Sequence, residues 1–100
     1  MTKLGLFIRL EAKPGQEAEL KAFLESALPL VQAEASTPVW FALQFGPGSF
    51  GIFDAFASEE DRQAHMRGQV AIALMTKGAA LLAAPPKIEP VDLLANKLPG

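Results

Sequence analysis

The chain contains no cysteine, which excludes disulfides, thiolate catalysis and cysteine-bound metals. Histidine occurs once, at His65, and no carboxylate spacing converges on it in the way a metal site with so few nitrogen ligands would need. The expectation is a protein without metal or other cofactor. Positive charge is not in excess: nine Lys and Arg stand against eleven Asp and Glu, with no basic stripe, so no nucleic-acid partner is expected. Long apolar runs are missing too. Nothing approaches the roughly 18 residues of a membrane span. The start has no leader-like apolar region, because Leu4–Leu10 is interrupted by Arg9 and followed by Glu11. A cytoplasmic protein with no membrane partner is the expectation.

What is present is apolar. Half of the 100 residues are hydrophobic and only a fifth are charged. That is too apolar for a disordered chain and rather apolar for a single small domain over residues 1–100, which has little interior in which to hide such groups. A second covered surface resolves the mismatch, and a homodimer contact is its simplest source.

Residues 4–11 read as a strand, with Leu4, Leu6, Ile8 and Leu10 on one face and Phe7, Arg9 and Glu11 on the other. Lys13-Pro14-Gly15 ends it. Leu20, Phe23, Leu24, Ala27 and Val31 recur at helical spacing, which predicts a helix over 16–34 that Pro29 kinks or divides near Leu28. Residues 39–45 and 50–57 read as strands joined by Gly46-Pro47-Gly48, a hairpin. Ser58 and Asp61 have the form of a capping box and open a helix to about Leu82, with a break near Gly68. Its expected stripe is Val70, Ala71, Leu74, Met75, Ala79 and Leu82. Residues 87–95 read as a last strand, with Pro90 marking an edge or a bulge.

The order β-α-β-β-α-β is the split βαβ, ferredoxin-like pattern of an α+β protein. Right-handed crossovers give an antiparallel four-stranded sheet of order 4-1-3-2, with the helices on one face. The other face is then bare. Yet three strands carry large apolar groups on both sides: Phe7 opposite Ile8, Trp40 opposite Phe41, Phe53 opposite Ile52. A sheet with one wet face alternates apolar and polar more cleanly. A second subunit over the bare face is the expected explanation.

The segment Glu34-Ala35-Ser36-Thr37-Pro38-Val39-Trp40-Phe41, then Phe50-Gly51-Ile52-Phe53-Asp54-Ala55-Phe56, then Glu60-Asp61-Arg62-Gln63-Ala64-His65, resembles the antibiotic-biosynthesis-monooxygenase-like family. The resemblance spans essentially the whole chain. It implies a dimeric α/β barrel and, in some members, oxygenation of aromatic polyketides or quinols by dioxygen without metal or flavin. Of the Asn, Trp and His set typical of haem-degrading members, His65 alone has a counterpart, and the chain has no Tyr to match those of polyketide-oxygenating members.

The candidate catalytic residue is His65, as a general base or hydrogen-bond donor in a pocket between helix and sheet, with Asp61 one turn earlier able to orient the ring. The alternative is a surface or helix-capping histidine. Asp54 shares a face with Ile52 and Phe56, where an acid is costly unless paired. Arg9 is its candidate partner in a structural ion pair; the alternatives are a dimer-seam contact or a pocket acid with a shifted pKa. Trp40 could stack on a flat ligand or pack in a dimer barrel. Phe41 and Met75 are candidate substrate contacts or plain core. Two functions follow: a cofactor-independent monooxygenase acting on a flat aromatic or quinol-like molecule, or a non-catalytic dimeric protein that binds a small ligand or serves in stress.

Overall fold

The computed structural model describes residues 2–99; Met1 and Gly100 of the expected domain lie outside the described residues. The elements run β1 (Leu4–Glu11), α1 (Glu17–Ser26), α2 (Leu28–Gln32), β2 (Val39–Gly46), β3 (Ser49–Phe56), α3 (Glu59–Met66), α4 (Gln69–Leu81) and β4 (Lys87–Asp92). The sheet order is β2-β3-β1-β4, all neighbours antiparallel, as the topology rules require.

Both helical breaks have local causes. Pro29 sits in the first turn of α2, where a missing N–H is tolerated, so the helix divides there. Ala27 between the two parts keeps a helical backbone (φ −75°, ψ −19°), and its carbonyl still accepts from Val31 at 3.1 Å. The backbone therefore stays helical across the division. Gly68 is extended (φ −84°, ψ −177°) and separates α3 from α4. The Ser58 hydroxyl caps α3 by accepting the Asp61 N–H at 3.2 Å. β4 stops at Asp92, short of the expected residue 95, because Asp92 already pairs with Leu4, the first residue of β1.

The core lies between the sheet and the helices. Leu6, Ile8 and Leu10 of β1 and Phe50, Ile52 and Phe56 of β3 are buried, as are Leu20, Phe23 and Leu24 of α1 and Leu74 and Leu81 of α4. The expected α4 stripe is narrower than the sequence pattern suggests. Val70, Leu74 and Leu82 are buried, but Ala79 is exposed and Met75 is 77% exposed. Met75 lies about 100° around the helix from Leu74 and so leaves the packed face.

Among the described residues no helix covers the opposite sheet face. Register puts Phe41, Phe53 and Phe7 side by side across three strands. Phe45, at the hairpin bulge, meets Phe7 edge-on with ring centroids 6.2 Å apart. Arg9 lies on this face, its guanidinium 5.0 Å from the centroids of both Phe7 and Phe45. The expected Arg9–Asp54 pair is thereby corrected: alternation along β1 and β3 sends the two side chains to opposite faces. Gly51 lets this cluster close. A Cβ there would stand 2.9 Å from the Phe45 ring and 3.0 Å from the Ile8 carbonyl, which is backbone and cannot swing aside. Gly51→Ala is therefore expected to cost about 1–3 kcal/mol in a denaturant titration; wild-type stability would show that the Phe45 cluster is loose.

Candidate functional site

Four polar residues from three parts of the chain meet beneath α3. Asp54, third from the end of β3, is fully buried on the helix-facing side of the sheet. His65, in the last turn of α3, is 5% exposed and packs 5.4 Å, centroid to centroid, from the Phe56 ring. Glu34 and Thr37 come from the connection between α2 and β2. His65 Nε2 lies 2.9 Å from Asp54 Oδ2, and His65 Nδ1 lies 2.6 Å from Glu34 Oε1. The Thr37 hydroxyl donates to the same Glu34 oxygen at 2.9 Å and stands 3.3 Å from His65 Nδ1.

The ring therefore sits between two carboxylates. Burial alone would lower the His65 pKa, but hydrogen bonds and charge from Asp54 and Glu34 outweigh it and hold the pKa above its ordinary value. Burial pushes the Asp54 pKa up, the nearby Glu34 charge adds to this, and His65 offsets it only in part. Neither Asp54 oxygen receives a well-aligned hydrogen bond despite the close approach of Nε2. The imidazolium form satisfies the cluster best, donating one N–H toward each carboxylate.

His65 also forms part of the wall of a cavity of about 310 Å³ between α4, α3 and the sheet. The rest of that wall is apolar: Ile8, Ile52, Val70, Leu74, Ile88 and their neighbours. A second concavity, of about 270 Å³, lies on the far side of the cluster and is lined by Glu34, Thr37, Trp40, Leu28, Val31 and Pro38. The cluster thus stands between an apolar cavity and a polar groove.

The sequence candidates are distributed unevenly. His65 and Met75 line the cavity, and Asp54 holds the ring from below. Trp40 stands across from Asp54 in the β2–β3 register and borders the groove, its indole N–H buried without a partner. Phe41 is 53% exposed on the helix-free face and does not meet the cavity, because it alternates with Trp40. Asp61 is not the ring's partner; its place is taken by Glu34, 31 residues away in sequence. Glu34 and Thr37 carry no spacing signal, since only the turn after α2 brings them to His65. Among the described residues no group of three or more His, Cys, Asp or Glu side chains is arranged to hold a metal ion, and no helix is long and apolar enough to cross a membrane.

The sheet order, the paired helices on one face and the site beneath them define an α+β protein with the fold of the antibiotic-biosynthesis-monooxygenase-like proteins. A candidate antibiotic biosynthesis monooxygenase from Nitrosomonas europaea superposes with a TM-score of 0.82 at 17% identity, over 92% of this chain and 99% of that one. A second, from Caulobacter crescentus, gives 0.80 at 18% identity, over 94% and 92%. At such identities the likeness is one of fold. A protein of unknown function, also from Nitrosomonas europaea, is 66% identical over 100% of this chain and 97% of its own, with a TM-score of 0.98. The chain belongs to one family with that protein. No protein-family model and no curated protein matches it.

Proposed function

We propose that the protein is a dimeric, cofactor-independent monooxygenase for a flat aromatic or quinol-like molecule, bound in the cavity against His65. One observation carries this reading: the single polar side chain in the wall of an otherwise apolar cavity is an imidazole held between two carboxylates. An apolar pocket with one convergent polar group suits a flat, largely hydrophobic ligand. In the deprotonated state of the cluster the ring takes a hydroxyl proton from the substrate. The resulting electron-rich anion then reduces dioxygen. For a quinol the balance is one quinol plus one dioxygen giving one hydroxyquinone plus one water, with all electrons supplied by the substrate. The residues contribute desolvation, orientation and the base.

Oxygen uptake is the test. Wild type supplied with quinols and polyketide-like phenols is expected to consume oxygen, and His65→Gln is expected to lose about 10²–10⁴-fold in rate while remaining folded. No uptake with any of these compounds sinks the oxygenase reading.

A second reading rests on a specific feature. Both ring nitrogens are already engaged and the ring is only 5% exposed, which suits a binding protein whose His65 braces the cavity wall. In that case flat aromatics bind, His65→Gln weakens binding, and no oxygen is consumed.

The dimer reading is supported by the helix-free face. Phe41 and Phe45 are about half exposed there, beside Phe7 and Phe53. Isolated soluble domains seldom show so contiguous an apolar patch.

A further inference from the structure

We propose that Glu34 is the positioning residue of His65, and that the Glu34–Thr37 pair gives protons a way out of the buried cluster to the Trp40 groove. The direction of proton flow rests on the monooxygenase reading; the seating of Glu34 rests on geometry alone. Two hydrogen bonds and the space left by Gly68 fix that carboxylate. Oε1 takes the Nδ1–H of His65 at 2.6 Å and the hydroxyl proton of Thr37 at 2.9 Å. Oε2 lies where a side chain on residue 68 would begin: a Cβ on Gly68 would stand 2.9 Å from it. Gly68 has a backbone any residue adopts, so its lack of a side chain is a matter of space, first for Glu34 and then for the His65 carbonyl, 3.2 Å from the same point.

The placement is asymmetric. Asp54 is fully buried, whereas the Glu34 side chain is 16% exposed and lines the groove with Thr37 and Trp40. The imidazole is thus a bridge from an interior acid to an acid that lines the groove, partly exposed although its Oε2 is itself buried. A proton taken from a ligand hydroxyl on the cavity side is matched by one released from Nδ1 through Glu34 to solvent, so the proton count of the cluster is unchanged after each transfer. The charged groups facing the ring are Asp54 from β3 and Glu34 from the connection after α2. On its own helix, Asp61 gives its N–H to the Ser58 cap and Arg62 is paired with Glu59.

His65 is the sole histidine, so the imidazole signals in an NMR titration of the whole protein belong to it without assignment. Glu34→Gln is expected to lower the apparent pKa of His65 by about one pH unit or more and, with the way out removed, to slow exchange of its Nδ1 proton with solvent. Gly68→Ala keeps the Glu34 charge but displaces the carboxylate, and is expected to shift both readings in the same direction. Glu60→Gln, the control, removes an equal charge from the exposed side of α3 and should change neither. If Glu34→Gln and Gly68→Ala leave the pKa and the exchange rate at wild-type values, the proposal is overturned. It is equally overturned if Gly68→Ala alone is silent, since position would then not matter. Absence of oxygen uptake leaves these readings untouched and counts against the oxygenase reading only.

Discussion

Alanine at position 65 is expected to cost about 3–5 kcal/mol of folding stability at pH 6, because it strips the cation from between two carboxylates, one of them fully buried. For a small domain this is a large share of the total. Wild-type stability should itself depend on pH. The His65 pKa is raised in the fold, so between the ordinary histidine value of about 6.5 and the folded value the native state holds more protons than the unfolded chain. Stability from this source is complete below about pH 6.5 and is lost as pH rises through the folded value, at up to about 1.4 kcal/mol per pH unit. The raised Asp54 pKa acts with the same sign, its contribution being complete below about pH 3.9 and lost on the way up. Denaturant unfolding of the wild type at pH 6.0 and 8.5 should show greater stability at the lower pH. In the Asp54→Asn, His65→Gln double variant that difference should vanish. Wild-type stability that climbs with pH over this range would contradict the ion cluster.

Phe41→Asp is expected to separate the proposed dimer into folded monomers. In a twofold contact each substitution acts twice. Losing a central aromatic costs about 2 kcal/mol or more per copy, so a drop of roughly 10³-fold in association is expected. A buried charge in the apolar face adds to it. Size exclusion with light scattering at micromolar concentration reads the result directly. A wild-type monomer would overturn the dimer reading, whereas a Phe41→Asp dimer would place the contact elsewhere. Circular dichroism should be unchanged, because Phe41 already faces away from the helix-packed core.

Much of the fold is legible in the chain because it rests on local rules. Alternation in residues 4–11 and 50–56, Pro29, the Ser58 cap and Gly68 each act over a few residues, and the crossover rule then orders the strands. The candidate site is legible only in part. His65 and Asp54 stand out by residue type, an imidazole and an acid within otherwise apolar patterning. Their partners do not. Pairing Asp54 with Arg9 requires knowing which face each side chain takes, and neighbouring strands alone do not decide that. Glu34 reaches His65 because the turn after α2 folds back toward α3, a long-range result with no periodic signature. Phe41 and Met75 show the same limit from the other direction: apolar type alone does not say whether a residue enters the core, lines a cavity or lies on an open face.

Trp40 has a consequence for how the cluster can be watched. The chain has one tryptophan and no tyrosine, so its ultraviolet emission comes essentially from a single indole. That indole stands across the ladder from Asp54 and shares the groove with Glu34 and Thr37. Protonation of the cluster, or a ligand settling beside it, changes the electric field at this ring. The protein thus carries a native optical probe beside its most highly charged interior site, one that needs neither label nor substitution.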